Sequence, residues 1–380
     1  MHTTSRCAKI THMNEGQMSW AEVGERIAEA RLAAGLNQGE LATRVDLDRT
    51  AVVRIEAGDR RITALELFRL AEALSVPLAH LVSRSPAPLV SRRSALEENA
   101  DDTSRARYRL DALLESHARN ARWLIDHGFL KPSAMPPPLE RGACAVDPVA
   151  LARAARGLIS LPSGPLGPLA DVLERFNLYL TVVNEQAEGA SLLLDGCGVA
   201  VISSQAAPGR RRWTAAHELG HHLLQDEYHS DAGVAAGRDE REQLIDQFVD
   251  EFVLPEADLR EAWTKVGRDR KQRAVLIDIA ARYRLSWGAV VRKARQLNLV
   301  DAADAQRLKA NTPMKGDFIE VHGSEPPADL ECGATGTRWR RAVFAAWNRG
   351  GITATRAVEL LYGTLKEDEL PSRELEDDLP

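Results

Sequence analysis

The sequence predicts a mainly α protein with a small β-sheet, an α+β chain of two or three units. Three observations predict it. At 380 residues the chain exceeds one typical domain. Apolar residues recur at helical spacing through most of it, in runs closed by Gly, Asn, Asp or Pro. Strand composition is confined to Leu178–Val183, Leu192–Leu194 and Gly198–Ser203.

Residues 1–18 have no apolar core of the signal-peptide kind and are expected as a flexible N-terminus. From Trp20 to Val82 the pattern breaks into short helices. Val23, Ile27, Ala30 and Leu32 mark the first, which stops at Gly35. Asn37 caps a second helix with Leu41, Ala42 and Val45, a turn follows at Asp46-Leu47, and Asp48 caps a third with Val52, Val53 and Ile55 that ends near Gly58. Thr63 begins a fourth, carrying Leu65, Leu67, Phe68, Leu70, Ala71 and Leu74. A five-helix domain containing a helix-turn-helix is expected over 19–85.

Residues 86–140 read as a linker with a connecting helix from Thr103 to Leu130, ended by Pro136-Pro137-Pro138. A second domain is expected over 141–300. It takes in the three strand segments and, later, two helices, Val275 to Arg284 and Trp287 to Leu297, separated at Leu285-Ser286. That pair is weakly similar to another helix-turn-helix, but core packing explains it more simply. A C-terminal helical region over 301–365 combines an irregular connection, Met314 to Cys332, with a final helical pair at 337–347 and 353–362. Trp339, Trp347, Arg338, Arg340 and Arg341 in that pair suit nucleic acid, or, more simply, a half-buried helix with a basic outer face. An acidic tail, 366–380, closes the chain.

The chemistry concentrates at Trp213-Thr214-Ala215-Ala216-His217-Glu218-Leu219-Gly220-His221. Residues four apart share a helical face, so His217 and His221 can hold one metal ion while Glu218 reaches the water beside it. Catalytic zinc takes three protein ligands and keeps an open position. Downstream, Leu244, Ile245, Phe248, Val249 and Phe252 recur at helical spacing, which leaves Glu242 and Asp246 on an adjoining face. Glu242 is the expected third ligand and Asp246 the acceptor that fixes a ligand histidine's tautomer. Glu240 competes with Glu242, although a solvated carboxylate at a helix N-terminus describes it better. His222 must point away from its neighbour's face. Tyr228 and His229 are candidate donors to a developing oxyanion. Zinc is the expected metal, and manganese suits the same ligand set.

The block Arg212–His221, followed by Glu242-x-x-x-Asp246-x-Phe248-Val249-x-Glu251-Phe252-Val253-Leu254-Pro255, resembles the ImmA/IrrE metallopeptidases. This chain has Ile245-Asp246 where Ala-Asn is usual and Val249 where Ala is usual; the proposed ligand is untouched. The resemblance covers about residues 140 to 300. It implies a zinc-dependent endopeptidase that cleaves a partner repressor, or a sensor that has kept the site and lost most of its turnover. A fused toxin–antitoxin component, with an antitoxin-like protein as partner, is a related reading.

Gly35-Leu36-Asn37-Gln38-x-x-Leu41-Ala42, followed by Asp48–Gly58, is similar to the XRE, or lambda-repressor/Cro-like, DNA-binding family. The resemblance implies that Gln38, Arg49, Thr50 and Val53 meet phosphates and base edges of a double-stranded operator, with the third helix in the major groove. Arg54 adds to the basic cluster of Arg49, Arg60 and Arg61. Asp46 stands where the family has Gly in the turn, a position Asp tolerates. Dimerisation or docking onto a protein is the competing role for the module. A homodimer on paired half-sites is expected.

The net charge of −6 excludes whole-molecule attraction to nucleic acid, so DNA contact must come from a local patch. No apolar run has the length of a membrane span. Cys7, Cys144, Cys197 and Cys332 form no paired spacing, which fits a reducing, cytoplasmic setting. A strand beside the motif helix would offer a peptide an edge to lie on. Val199 to Ser203 is the candidate edge, with an internal position equally compatible.

Overall fold

Ser19 starts the first helix, α1 (Trp20–Ala33), by accepting the backbone N–H of Glu22, whose carboxylate in turn takes the N–H of Ser19. The computed structural model describes residues 18–83, 101–133, 147–224, 235–265 and 272–373, without the side chains of 235–240. The expected flexible N-terminus at 1–17, the linker at 86–100, the triple proline at 136–138 and the tail beyond 373 lie outside the described residues. The described residues fall into two units, 18–83 and 101–373.

In the first unit α2 (Gln38–Arg44), α3 (Arg49–Glu56), α4 (Ala64–Leu74) and α5 (Leu78–Val82) follow α1. The caps are the expected ones: Asn37 accepts from Gly39 and Glu40, Asp48 from Ala51 and Thr63 from Glu66. Asp46 takes φ 56°, so the helix-turn-helix turn forms in the left-handed region without glycine. Ile27, Leu41, Val52, Ile55, Leu70 and Leu74 fill the core.

The second unit is built on a three-stranded sheet of β1 (Leu178–Val183), β2 (Gly189–Leu194) and β3 (Cys197–Ser203). The strand order is β1-β3-β2, with β3 parallel to β1 and antiparallel to β2. β3 is therefore internal, and Val199 to Ser203 is not an edge. The outer strands are β2 and β1, and β1 is met on its far side by the chain at Thr335, with the N–H of Gly333 donating to Val182 at 2.8 Å. Alternation sorts the strand residues into two cores. Leu178, Leu180, Val182, Ala200 and Ile202 face one side. Tyr179, Ala190, Leu192, Val199 and Val201 face the other.

The first core is covered by α7 (Pro148–Leu158), α8 (Leu169–Glu174), α9 (Pro208–Leu224), α10 (Ala235–Val253), α11 (Glu256–Lys265), α12 (Gln272–Tyr283) and α13 (Trp287–Gln296), with α14 (Ala302–Ala310) and α15 (Lys315–His322) outside them. The break between α12 and α13 falls as expected, with Arg284 at φ 54° and Ser286 as cap. The stretch expected to be irregular, Met314 to Cys332, holds α15; only Phe318 and Val321 turn from this short helix toward the core, too few to leave a period in the sequence.

The second core is covered by α6 (Asp102–Asp126), α16 (Thr337–Asn348) and α17 (Ala354–Leu360). The helix read as a connection is thus also a layer on the sheet. α16 has Gly336 at its N-cap and no cap side chain of its own. Instead, Asp171 accepts the N–H of Thr337 at 2.6 Å, and Glu174 accepts those of Arg338 and Trp339 at 2.6 and 2.8 Å. Trp339 is buried and Trp347 donates to the carbonyl of Pro371, so both aromatics serve packing. No helix among the described residues is long and apolar enough to cross a membrane.

Candidate metal centre

α9 carries the motif with one face toward β2 and α10. His217 and His221, one turn apart, bring their Nε2 atoms within 3.1 Å of each other. A carboxylate closes the group: Glu242 Oε2 is 3.1 Å from His217 Nε2, and Oε1 is 3.9 Å from His221 Nε2. Among the described residues this is the one cluster whose ligand atoms converge as a metal site requires. Ligands at roughly 2.1 Å in a tetrahedron stand about 3.4 Å apart, and the three separations bracket that value. Two imidazole nitrogens facing each other can share one proton at most, whereas a cation satisfies both lone pairs and the carboxylate together. The residues fit a divalent ion.

Gly220 lets α10 come close enough to deliver Glu242, since a Cβ there would stand 2.8 Å from Cγ2 of Ile245. Burial lowers the proton affinity of His217, but Glu242, Glu218 and Asp246 outweigh it and hold the imidazole above its ordinary pKa. Its other nitrogen, Nδ1, is 3.4 Å from Asp246 Oδ1, within ion-pair reach but not aligned as a hydrogen bond. Trp213 stacks on the ring at 5.1 Å, with the Arg210 guanidinium 4.5 Å over the indole. His222 turns the opposite way and donates through Nε2 to the carbonyl of Phe176 at 2.8 Å; burial lowers its pKa.

Glu218 is 5% exposed and accepts the hydroxyl of Ser191 at 2.6 Å. Ser191 lies on β2 and was not among the residues expected from sequence, since its place beside Glu218 depends on how the strand packs against the motif helix. Tyr228, His229 and the side chain of Glu240 lie outside the described residues.

Two segments of the chain, one of which includes this cluster, match known families. Residues 185–295 match the peptidase family described as the IrrE N-terminal-like domain. Residues 27–81 match the helix-turn-helix family. The chain is also 36% identical over 63 residues, 17% of its length, to an uncharacterized transcriptional regulator in the ATPase CF(0) region of Rhodospirillum rubrum; the match spans 58% of that relative. The protein joins a helix-turn-helix DNA-binding domain to an IrrE-like, metallopeptidase-family domain.

On the helix-turn-helix domain Arg49, Thr50, Val53 and Arg54 are exposed along α3, as a helix entering a groove requires. Gln38 is held instead: its amide donates to Glu56 at 2.8 Å, and the same carboxylate takes Arg31 at 2.6 and 3.1 Å.

Proposed function

We propose that this protein is a DNA-binding regulator whose IrrE-like domain is a zinc-dependent endopeptidase acting on a partner regulator protein. The observation that carries it is the convergence of His217, His221 and Glu242 beside the buried carboxylate of Glu218. A divalent metal held there supplies a Lewis acid that polarises the scissile carbonyl and makes water nucleophilic near neutral pH.

The remaining work falls to the chain. Glu218 accepts the proton of the attacking water and passes it to the departing amine nitrogen. Asp246 biases the orientation of His217 from the side away from the cluster. The outer edge of β2, next to Glu218, receives the substrate as an added strand and aligns its backbone with the base. Arg49, Thr50, Val53 and Arg54 face the operator, and Glu56 steadies Gln38 at the start of α2.

Elemental analysis of the purified protein tests the centre. About one zinc per chain is expected, lost in His217→Ala and in Glu242→Ala. Glu218→Gln should keep the metal, abolish cleavage and trap the partner protein; cleavage that survives it removes Glu218 from the mechanism. A second reading is favoured by the similarity to a transcriptional regulator: a transcription factor whose metal site senses without turnover. In that case DNA binding and its regulation both survive Glu218→Gln.

A further inference from the structure

Two residues of β2 fence the carboxylate of Glu218. Gly189 and Ser191 are two apart, so their side-chain positions share a face of the strand. The hydroxyl of Ser191 donates to Glu218 Oε2 at 2.6 Å. On the other oxygen the strand leaves room: a Cβ on Gly189 would stand 3.1 Å from Oε1 and 2.8 Å from Cγ2 of Thr214. One residue tethers the group and the other accommodates it.

The tether has a chemical consequence at the neighbouring cluster. Glu218 adjoins His217 in the chain, and its carboxylate is held from the β2 side by Ser191 and Gly189. Its oxygens stay out of the group formed by His217, His221 and Glu242. An anionic carboxylate that near to a cation has two outcomes. It can join the ligand set, filling the fourth position as in a closed structural zinc site, or be held back so that the position stays open to water.

We propose that Ser191, with the space left by Gly189, is a positioning residue that keeps Glu218 a base instead of a ligand. The edge strand thus sets the coordination number of the centre as well as offering substrate a place to pair. The proposal rests on the metal reading of the site.

The test uses full-length protein, with zinc affinity measured against a chromophoric chelator and cobalt(II) as the spectroscopic probe. Ser191→Ala is expected to tighten zinc by about tenfold, the scale on which second-sphere changes act, and to change the visible cobalt spectrum. Ser191→Thr keeps the hydroxyl and should match wild type. With Glu218→Gln in the background, Ser191→Ala should change neither quantity, because the carboxylate it releases is gone. Gly189→Ala, which presses on Oε1, should alter the cobalt spectrum even if Ser191→Ala folds poorly. Zinc affinity within about twofold of wild type and an unchanged spectrum for Ser191→Ala, or equal effects with and without the Glu218 carboxylate, would overturn the proposal while leaving the zinc site intact. A wild-type protein that takes up neither metal would overturn the zinc reading, and this one with it.

Discussion

Gly220 of the motif helix faces Ile245 of α10 with no room for a side chain between them: a Cβ on Gly220 would stand 2.8 Å from Cγ2 of Ile245 and 3.3 Å from Cδ1 of Phe248. Ile245 and Phe248 are themselves fully buried and cannot step aside cheaply. In an open helix Gly→Ala would stabilise by about 1 kcal/mol. Here the added methyl must push α10 outward, and overpacking of this kind costs about 1–3 kcal/mol. Because Glu242 rides on α10, the displacement also draws it away from His217 and His221. Gly220→Ala should therefore lower both the melting temperature and zinc affinity, the latter by about tenfold or more. Wild-type affinity in a destabilised variant would mean that the helix spacing and the ligand geometry are independent.

Burial of His117 is expected to make the second unit sensitive to acid. Its ring is fully buried against Trp339, at 4.5 Å between centroids. Nε2 faces the carbonyl of Tyr179 at 3.0 Å, which can only accept, so Nε2 carries the hydrogen and Nδ1 accepts from the hydroxyl of Tyr362 at 2.5 Å. Burial pushes its pKa down to about 4, although the bond to Tyr179 acts in the opposite direction. In the unfolded chain the imidazole titrates near 6.5. Above that pH both states are neutral and the folded state is undisturbed. As pH falls toward 4 the unfolded chain takes up the proton first, and stability is lost, up to about 3 kcal/mol. His117→Gln retains a donor and an acceptor without titrating. Urea unfolding at pH 7 and pH 4.5 should show wild type losing about 2.5 kcal/mol more than this variant over the interval. Equal losses would assign the acid response to other groups.

What the sequence makes legible is local. The caps at Asn37, Asp48 and Thr63, the left-handed Asp46 and the three strands all follow from neighbours a few residues apart. So does the meeting of His217 with His221, because helical spacing alone puts them together, and that of Glu242 with both, because the apolar face of α10 dictates which side remains for it. Strand order is different in kind. That β3 is central and β2 the edge depends on pairing between segments, which composition does not encode, and Ser191 was missed for the same reason. The N-terminus of α16 is held by Glu174 from 164 residues away, and no periodicity in either segment announces that bond.

The helix-turn-helix domain offers a prediction that separates two kinds of contact. Arg49 and Arg54 project from α3 into solvent, while Gln38 is fixed by Glu56, which also neutralises the buried Arg31. If Arg54 meets a phosphate, Arg54→Ala should weaken binding to all duplexes alike and reduce the dependence of log affinity on log salt by about one. If Arg49 reads a base edge, Arg49→Ala should cost about 1–3 kcal/mol on the operator and much less on unrelated DNA. Glu56→Ala acts through structure: it leaves Arg31 buried without its carboxylate, a loss of about 3 kcal/mol or more in stability, and releases Gln38 from its hold. Titrations over a range of salt concentrations, with zinc content measured in parallel, check all three. Zinc should be unchanged throughout, and an Arg54→Ala protein with the wild-type salt slope would remove that residue from the interface.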